Sequence, residues 1–293
     1  MSIRFIDAGE VSALRSQTIY HGLAHARTEA TPDTVVLARP AQPYVCIGFH
    51  QDLEHEIDLE YCRARSLPVL RRETGGGAVY LDRNQLFVQW IMGPARLPAR
   101  IEQRFELFCG TLVAAYRELG IDACLRGAND VHVDGRKIAG TGAARIGSAE
   151  VLVGNLICEF DTAECARILR APSPAFRDQV HKSLALYMTS MRRELGAVPD
   201  PARIAAVYRA RCQELLADEL VDGEWTPREQ TAIEASDRKL GSAGFLHGSG
   251  GLRRDGLKIH ADVSVVETVR ESAARMRNGL VEDVSMAPST PQP

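Results

Sequence analysis

Long apolar runs are missing from this chain: none of its 293 residues begins a stretch approaching the roughly 18–20 apolar positions that a membrane span needs. Basic excess is missing too. Lys+Arg 35 against Asp+Glu 38 leaves a net charge of -3, which gives no nucleic-acid footprint and no polybasic membrane patch. Anionic ligands must therefore be held by local clusters and not by the global field. The seven cysteines (46, 62, 109, 124, 158, 165 and 212) are odd in number, scattered and without a Cys-x-x-Cys, which argues against a disulfide framework and a zinc site. The first residues, Met1 to Asp7, lack a signal-peptide pattern and already read as a strand. Internal repeats are absent. These absences predict a reduced, cytoplasmic monomer that engages neither nucleic acid nor membrane.

What is present reads as alternating strands and helices. The length suffices for one large α/β domain and a smaller one. Val11, Leu14, Ile19, Leu23 and Ala26 predict an amphipathic helix within 9–30, after the first strand. Thr34–Ala38, Tyr44–Gly48 and Leu67–Leu70 read as strands and Asp58–Arg65 as a helix. Ala78–Leu81 and Leu86–Met92 are expected to pair across the turn Asp82-Arg83-Asn84. Arg100–Leu119 is the clearest amphipathic helix, with Gly120 as its stop. Short strands at Val131–Val133, Lys137–Gly140 and Val151–Phe160 precede a largely helical stretch from Thr162 to Leu220. The Gly/Ser/Ala-rich segment Gly241–Gly251 marks a junction or mobile loop. Beyond it, a strand at Leu257–Val266, a helix at Val269–Met276 and a strand at Leu280–Val284 predict a small C-terminal α/β appendage. The fold class is α/β (α+β), with a central mixed sheet flanked by helices and not a doubly wound parallel one. The expected division is 1–235 and 245–286, with a Pro-rich, polar tail at 287–293 that cannot pack.

Two segments carry chemistry. The first is Arg71-Arg72-Glu73-Thr74-Gly75-Gly76-Gly77-Ala78-Val79-Tyr80-Leu81-Asp82. Without Cβ atoms, Gly75, Gly76 and Gly77 can take positive φ and let a ligand lie against their amides. The guanidiniums of Arg71 and Arg72 are suited to holding carboxylate or phosphate oxygens bidentately. A tight turn with exposed arginines is the plainer reading of the same residues. The second segment runs from Gly127 through Asn129, Asp130, Asp134-Gly135 and Lys137 to Gly140-Thr141. Asp134-Gly135 is a hairpin signal, and it sets Lys137 at the start of the second strand. A lysine on a rigid hairpin beside a glycine loop suits a ligand whose negative charge changes during reaction; a solvated surface lysine is the alternative.

Together the segments resemble the lipoate–protein ligase branch of the biotin/lipoate ligase family. The matching residues are Arg71-Arg72-x-x-Gly75-Gly76-Gly77-Ala78-Val79-Tyr80-x-Asp82 and Asn129-Asp130-x5-Arg136-Lys137-Ile138-x-Gly140, supported by Ile47-Gly48-x-x-Gln51 and Arg177-Asp178-x3-Lys182-Ser183. The resemblance spans roughly residues 1–195. It implies an enzyme that condenses lipoate, or octanoate, with ATP to an acyl-adenylate and passes the acyl group to a lysine of a lipoyl-carrier protein. The carrier could be a lipoyl domain, a glycine-cleavage-type carrier or a specialised lipoate-binding protein. By the same resemblance Lys137 is the catalytic residue, lying between acyl carbonyl and α-phosphate. Arg72 and Arg71 bind the phosphate side, and Gly75–Gly77 with Ala78 and Val79 line the slot. Gly140 and Thr141 flank the same site. Asn129 and Asp130 face the nucleotide, with Asp130 a ligand for Mg²⁺. Lys182 and Ser183 sit on a loop that closes over the adenylate. Val45, Ile47 and Val79 are candidates for an apolar acyl tunnel.

One position departs from the pattern. Leu81 stands where the family usually has histidine, and His132 and His50 are the local substitutes. Two other readings stay open. Cys124, 13 residues before Lys137, could form the acyl-thioester of an ATP-independent octanoyl- or lipoyl-transferase, a thiolate beside Lys137 or Arg126 being a credible nucleophile. A non-catalytic lipoate- or adenylate-binding regulator is the other. Biotin ligases fit less well, because their arginine–glycine motif differs. The C-terminal segment resembles the small accessory domain of lipoate ligases.

Overall fold

The structure is a computed structural model that describes residues 2–248, 250–251, 256–260, 262–268 and 272–286. In chain order the elements are β1 (Ile3–Val11), α1 (Ala13–Ala26), β2 (Thr34–Pro40), β3 (Tyr44–Ile47), α2 (Leu53–Glu56), α3 (Leu59–Ala64), β4 (Val69–Arg71), β5 (Val79–Leu81) and β6 (Gln85–Met92). There follow α4 (Ile101–Glu118), β7 (Cys124–Arg126), β8 (Asp130–Val133), β9 (Arg136–Ala139), β10 (Thr141–Ile146), β11 (Ala149–Ile157), α5 (Thr162–Ile168), α6 (Pro174–Tyr187), α7 (Met191–Leu195) and α8 (Pro201–Leu216). The chain ends with β12 (Leu220–Asp222), α9 (Pro227–Leu240), α10 (Ala243–Leu246), β13 (Leu257–His260), β14 (Val263–Glu267), β15 (Ala273–Arg277) and β16 (Leu280–Ser285).

Six strands in the order β10-β11-β6-β2-β1-β12 form the central sheet. It is mixed, because β1 runs parallel to β2 and β12 while β2, β6, β11 and β10 pair antiparallel. Every residue of β6 is buried, as a strand covered on both faces requires. On one face α1 and α9 pack through Ile19, Tyr20, Leu23 and Ile233 against Val36, Phe87, Ile91 and Val151. On the other, α4 and α8 pack through Phe108, Leu112, Tyr116 and Tyr208 against Val35, Leu37, Trp90 and Leu152. The indole N–H of buried Trp90 donates to the Tyr208 hydroxyl at 2.9 Å, which satisfies the polar end of each. Two glycines permit the close approaches in these layers. A Cβ on Gly22 would stand 2.4 Å from the Ile233 backbone, and one on Gly154 2.8 Å from the Phe108 ring.

Two small sheets flank this sandwich, β4-β3-β5 and β7-β8-β9, and a four-stranded antiparallel sheet, β13-β14-β15-β16, packs on α6. The expected hairpin between Ala78–Leu81 and Leu86–Met92 does not form: β5 pairs with β3, whereas β6 pairs with β2 and β11. The turn at Asp82–Asn84 carries the chain from one sheet to another. Val11 belongs to β1 and not to the helix, which starts after the Ser12 cap. The predicted helix at Val269–Met276 is also corrected, since Ala273–Arg277 is β15, held between β14 and β16. Ala-Ala-Arg-Met is good helix sequence, but burial of Ala273 and Ala274 in a sheet overrides that propensity. The appendage is therefore a β-sheet and not an α/β unit. Leu257–Val266 is two strands, and α9 fills a stretch where no element was expected. The tail 287–293 and residues 269–271 lie outside the described residues. Among the described residues no helix is long and apolar enough to cross a membrane.

Candidate active site

The glycine loop is built from below by the two arginines that precede it. Arg72, 6% exposed, donates to the carbonyls of Cys46 (3.0 Å), Gly75 (2.8 Å) and Gly77 (2.8 Å). Arg71, 2% exposed, donates to the carbonyls of Gly48 (3.2 Å), Phe49 (2.9 Å), Gln51 (2.7 Å) and Leu246 (3.0 Å). One guanidinium thus braces the 75–77 loop and the other the 48–51 loop facing it. The geometry expected from sequence, two forks presented to a ligand, is not what these side chains do here: they satisfy buried carbonyls. Gly48 and Gly76 are where the loops meet. A Cβ on Gly48 would stand 2.2 Å from the Gly76 carbonyl oxygen, and Gly76 has φ +98°. Around Gly75 and Gly77 there is open space on the Cβ side.

Helices α1 and α9 tether the start of the loop. His21, fully buried, accepts from the Glu73 amide through Nε2 at 3.0 Å, while its Nδ1 lies 2.7 Å from the Gln17 carbonyl. Both contacts are satisfied by the neutral Nδ1–H tautomer. Burial pushes the ring down to about 4. The Glu73 carboxylate is paired with Lys239 of α9 and with His25 at 3.3 Å. Burial opposes its charge, but these partners win and draw it down to about 2.

Lys137 sits on the β8–β9 hairpin. Asp134 (φ 47°) and Gly135 (φ 78°) both have positive φ, as the tight turn there demands. The Lys137 ammonium lies 2.8 Å from Asp130 Oδ1. Asp130 is 5% exposed. Burial alone would raise its carboxyl; the neighbouring His132 and Lys137 reverse this and hold it well below the usual carboxylate range. A Cβ on Gly140 would stand 3.8 Å from Lys137 Cε, so glycine leaves the lysine room. The opposite face of the hairpin is core: Val131 and Ile138 are fully buried.

A cavity of about 290 Å³ joins the two motifs; its walls include Gly75, Gly76, Asn129 and Thr141. Thr141 donates its hydroxyl to the Asn129 carbonyl at 2.7 Å. The apolar walls are Ile101 and Phe105 of α4 with Ala143, Ala144, Val151 and Leu152 of β10 and β11. None of these was singled out from sequence, and neither were Arg104 and Arg145. Both arginines line the cavity and share Glu150, at 2.6 Å for each. The expected tunnel residues Val45 and Ile47 are instead fully buried in the core beside α3, α5 and α6. Val79 and Leu81 pack with Tyr44, Cys46 and Leu70. Leu81 thus fills a small core, a place where an imidazole would need partners. A larger open groove of about 530 Å³ along α5 and α6 contains none of the glycine-loop or hairpin residues.

Lys182 and Ser183 do not lie on a loop. Both are in the middle of α6. Ser183 is buried and back-bonds to the Gln179 carbonyl at 2.7 Å, and Lys182 pairs with Asp178 at 2.8 Å. The four-residue spacing Asp178–Lys182 is a helix-surface signal that the sequence offered. The C-terminal sheet reaches the hairpin instead: Asp262 pairs with Arg126 at 2.9 Å, and the His260 ring stands edge-on to His132, centroids 5.0 Å apart. Cys124 is exposed on β7, the outer strand of the β7-β8-β9 sheet, and His50 is exposed beside Phe49.

The family described as Lipoyl protein ligase A/B catalytic domain matches residues 15–215. This chain belongs to that family. Among similar proteins, the octanoyltransferase LipM of Kyrpidia tusciae is 25% identical over 256 residues, covering 79% of this chain and 93% of its own. The lipoate-protein ligase A subunit 1 of Thermoplasma acidophilum is 27% identical over 205 residues, 67% of this chain and 77% of its own. A solved bi-partite lipoate protein ligase from Thermoplasma acidophilum superposes with a TM-score of 0.78 over 89% of this chain and 100% of its own, at 22% identity. The mixed α/β fold read from sequence is thus the fold of lipoate ligases. The family implies Mg²⁺ where ATP is used, but the donor set at Asp130 does not fit a resident ion. Its Oδ1 is committed to Lys137, and no group of three or more His, Cys, Asp or Glu suited to a metal occurs among the described residues.

Proposed function

We propose that this family member is an ATP-dependent lipoate–protein ligase, activating lipoate or octanoate as the acyl-adenylate and passing it to a lysine of a lipoyl-carrier protein. The observation that carries the reading is the Lys137–Asp130 ion pair on a hairpin whose flanking residues Asn129 and Thr141 line one cavity with Gly75 and Gly76. Asp130 holds the ammonium in place at 2.8 Å. As the acyl carboxylate attacks the α-phosphorus, negative charge grows on the phosphoryl oxygens, and a fixed cation there lowers the barrier most when water is excluded. The carboxylate–phosphorus bond forms as the bond to pyrophosphate breaks. The amides of Gly75–Gly77 supply neutral donors for the adenylate. Arg104 and Arg145, two cations sharing one carboxylate, leave the cavity one positive charge for the anionic substrates. The carrier amine then attacks the acyl carbon and AMP leaves. All seven cysteines are unpaired, which suits a reducing cytoplasm.

A second reading, an ATP-independent octanoyl- or lipoyl-transferase acting through Cys124, is favoured by the exposure of that thiol on β7, the strand paired with the hairpin of Lys137, and by the likeness to LipM. Incubation with a lipoyl domain, lipoate or octanoate, Mg²⁺ and ATP decides. The ligase reading expects pyrophosphate release and a carrier mass increase that require ATP. Carrier acylation from a thioester donor without ATP, with no pyrophosphate released on adding ATP and free acid, would overturn it.

A further inference from the structure

Lys137 rests turned away from the cavity it is to serve. Asn129 and Thr141, on either side of the hairpin, are among the cavity walls, whereas Lys137 and Asp130 are not among its described lining residues. Instead the ammonium lies 2.8 Å from Asp130 Oδ1. A cation that is to meet growing phosphoryl charge must turn from that carboxylate toward the cavity. Gly140 leaves space for the turn, since a Cβ there would stand 3.8 Å from Lys137 Cε. The turn removes a charge-assisted contact from a carboxylate that is 5% exposed, a loss that costs unless another donor closes on it.

Such a donor is in place. Asp130 and His132 are two residues apart on β8 and project to the same face. Lys137 is opposite His132 on β9, after a register shift that leaves Ile138 as an extra, buried residue. His132 is 1% exposed, yet neither of its ring nitrogens has a hydrogen-bond partner among the described residues. Buried polar groups are rarely left so. Its Nε2 stands 3.9 Å from Asp130 Oδ2, just beyond hydrogen-bond length. Neighbouring groups are committed elsewhere. Arg126, opposite Asp130 on β7, is paired with Asp262 at 2.9 Å. The Tyr187 hydroxyl donates to Glu282 at 2.6 Å, and His260 Nδ1 accepts from the Asp262 amide at 3.2 Å. The His260 ring, edge-on to His132, covers it from the C-terminal sheet.

We propose that His132 is a positioning residue that takes the place of Lys137 on Asp130. When the ammonium turns into the cavity, the imidazole, as its Nε2–H tautomer, closes to hydrogen-bond distance and donates to Asp130 Oδ2. The buried carboxylate exchanges one donor for another and keeps its charge, while Lys137 stays with the substrate. No proton is transferred. The proposal rests on the ligase reading above, in which Lys137 meets the phosphoryl charge, and adds the partner that lets the lysine leave.

The test uses the full chain with ATP, Mg²⁺ and octanoate, read by pyrophosphate release. In parallel, the chain carrying isotope-labelled histidine is titrated with octanoyl-sulfamoyl-adenosine, an unreactive stand-in for the acyl-adenylate. In the wild type the Hε2 resonance of His132, identified by its loss in His132→Gln, should move downfield as the analogue binds. His132→Phe keeps a ring and removes the donor; it should lower kcat roughly tenfold with the KM for ATP within about twofold. His132→Gln restores an N–H donor and should recover most of that loss. Wild-type kcat in folded His132→Phe, or equal losses in the two variants, would overturn the role. So would an unmoved Hε2 resonance in a wild type that releases pyrophosphate, an outcome that leaves the ligase reading standing. No pyrophosphate from the wild type and no response to the analogue would overturn both.

Discussion

The glycine loop and the residues flanking the Lys137 hairpin line one cavity, yet the guanidiniums and imidazoles of the two regions are in opposite states. In the loop both guanidiniums and the tethering imidazole are spent: Arg71 and Arg72 together satisfy seven backbone carbonyls, and His21 uses both ring nitrogens, whereas the buried Thr74 hydroxyl has no partner. On the hairpin, the nitrogens of His132 and Nε2 of His260 are buried without hydrogen-bond partners. Satisfied groups hold a shape, whereas unsatisfied groups and a single compact ion pair are left to meet a substrate. The loop is scaffold, and the hairpin is reagent. Substitutions in the two regions should therefore fail differently.

The largest effect is expected on the hairpin. Lys137→Ala should reduce acid-dependent pyrophosphate release roughly 10³-fold or more, because it deletes the cation at the developing phosphoryl charge. Its melting temperature should fall less than that of Arg72→Leu, since one contact, the ion pair to buried Asp130, is lost and that carboxylate can take up a proton. A parallel collapse of stability would erase the contrast between scaffold and reagent. Arg72→Leu should do the reverse. It leaves the carbonyls of Cys46, Gly75 and Gly77 without their donor, at about 1–3 kcal/mol for each group that stays buried. A loss near 4 kcal/mol in denaturant unfolding is expected, with activity falling through the misplaced loop. Arg72→Lys should not rescue it, since an ammonium cannot span three carbonyls as a planar fork does. Wild-type stability in Arg72→Leu would show that the loop holds itself.

Next in size is an acid effect on the loop alone. Burial lowers His21 from its ordinary 6.5 to about 4, so the folded state resists a proton that the unfolded chain accepts. The sign follows: this contribution is fully present above pH 6.5, falls as pH drops, and is gone by about pH 4. The difference amounts to roughly 3 kcal/mol by proton linkage. Buried His260, also near 4, adds to the same window, while Glu73, drawn down to about 2, acts only below its ordinary 4.5. Comparing unfolding free energies of wild type and His21→Asn from pH 7 to 4 isolates the loop tether. A slope unchanged by the substitution would remove His21 from that role.

Local periodicity made β1, β2, β6 and β11 and helices α1 and α4 legible, whereas β10, β12 and α9 were not read and the pairing of the two motifs rested on the family resemblance. Gly75, Gly76, Asn129 and Thr141 do line one cavity. What could not be read was direction. Arg71 and Arg72 look like ligand forks in any linear reading, and only the fold reveals the carbonyls beneath them. Arg104 and Phe105 come from α4 and Glu150 and Leu152 from β11 without a motif, so their convergence is purely tertiary. Leu81 looked like an altered recognition position because it interrupts a pattern, yet its side chain is packed with Tyr44 and Leu70.

The smallest effect should come from Lys182, and it sharpens the division most economically. A lysine on a closing loop would contact the adenylate, and its loss would raise the KM for ATP or slow activation many-fold. Here Lys182 is on α6, more than half exposed, in an i,i+4 pair with Asp178. Exposed pairs of that kind contribute little because solvent screens them and both side chains lose freedom. Ser285 keeps its bonds to Asp178 at 3.0 Å and Gln179 at 2.6 Å without it. Lys182→Ala should therefore leave adenylation within about twofold of wild type and the C-terminal sheet seated on α6. A tenfold rise in KM for ATP would mean that α6 changes partners during the reaction, and that the scaffold extends less far than the resting contacts indicate.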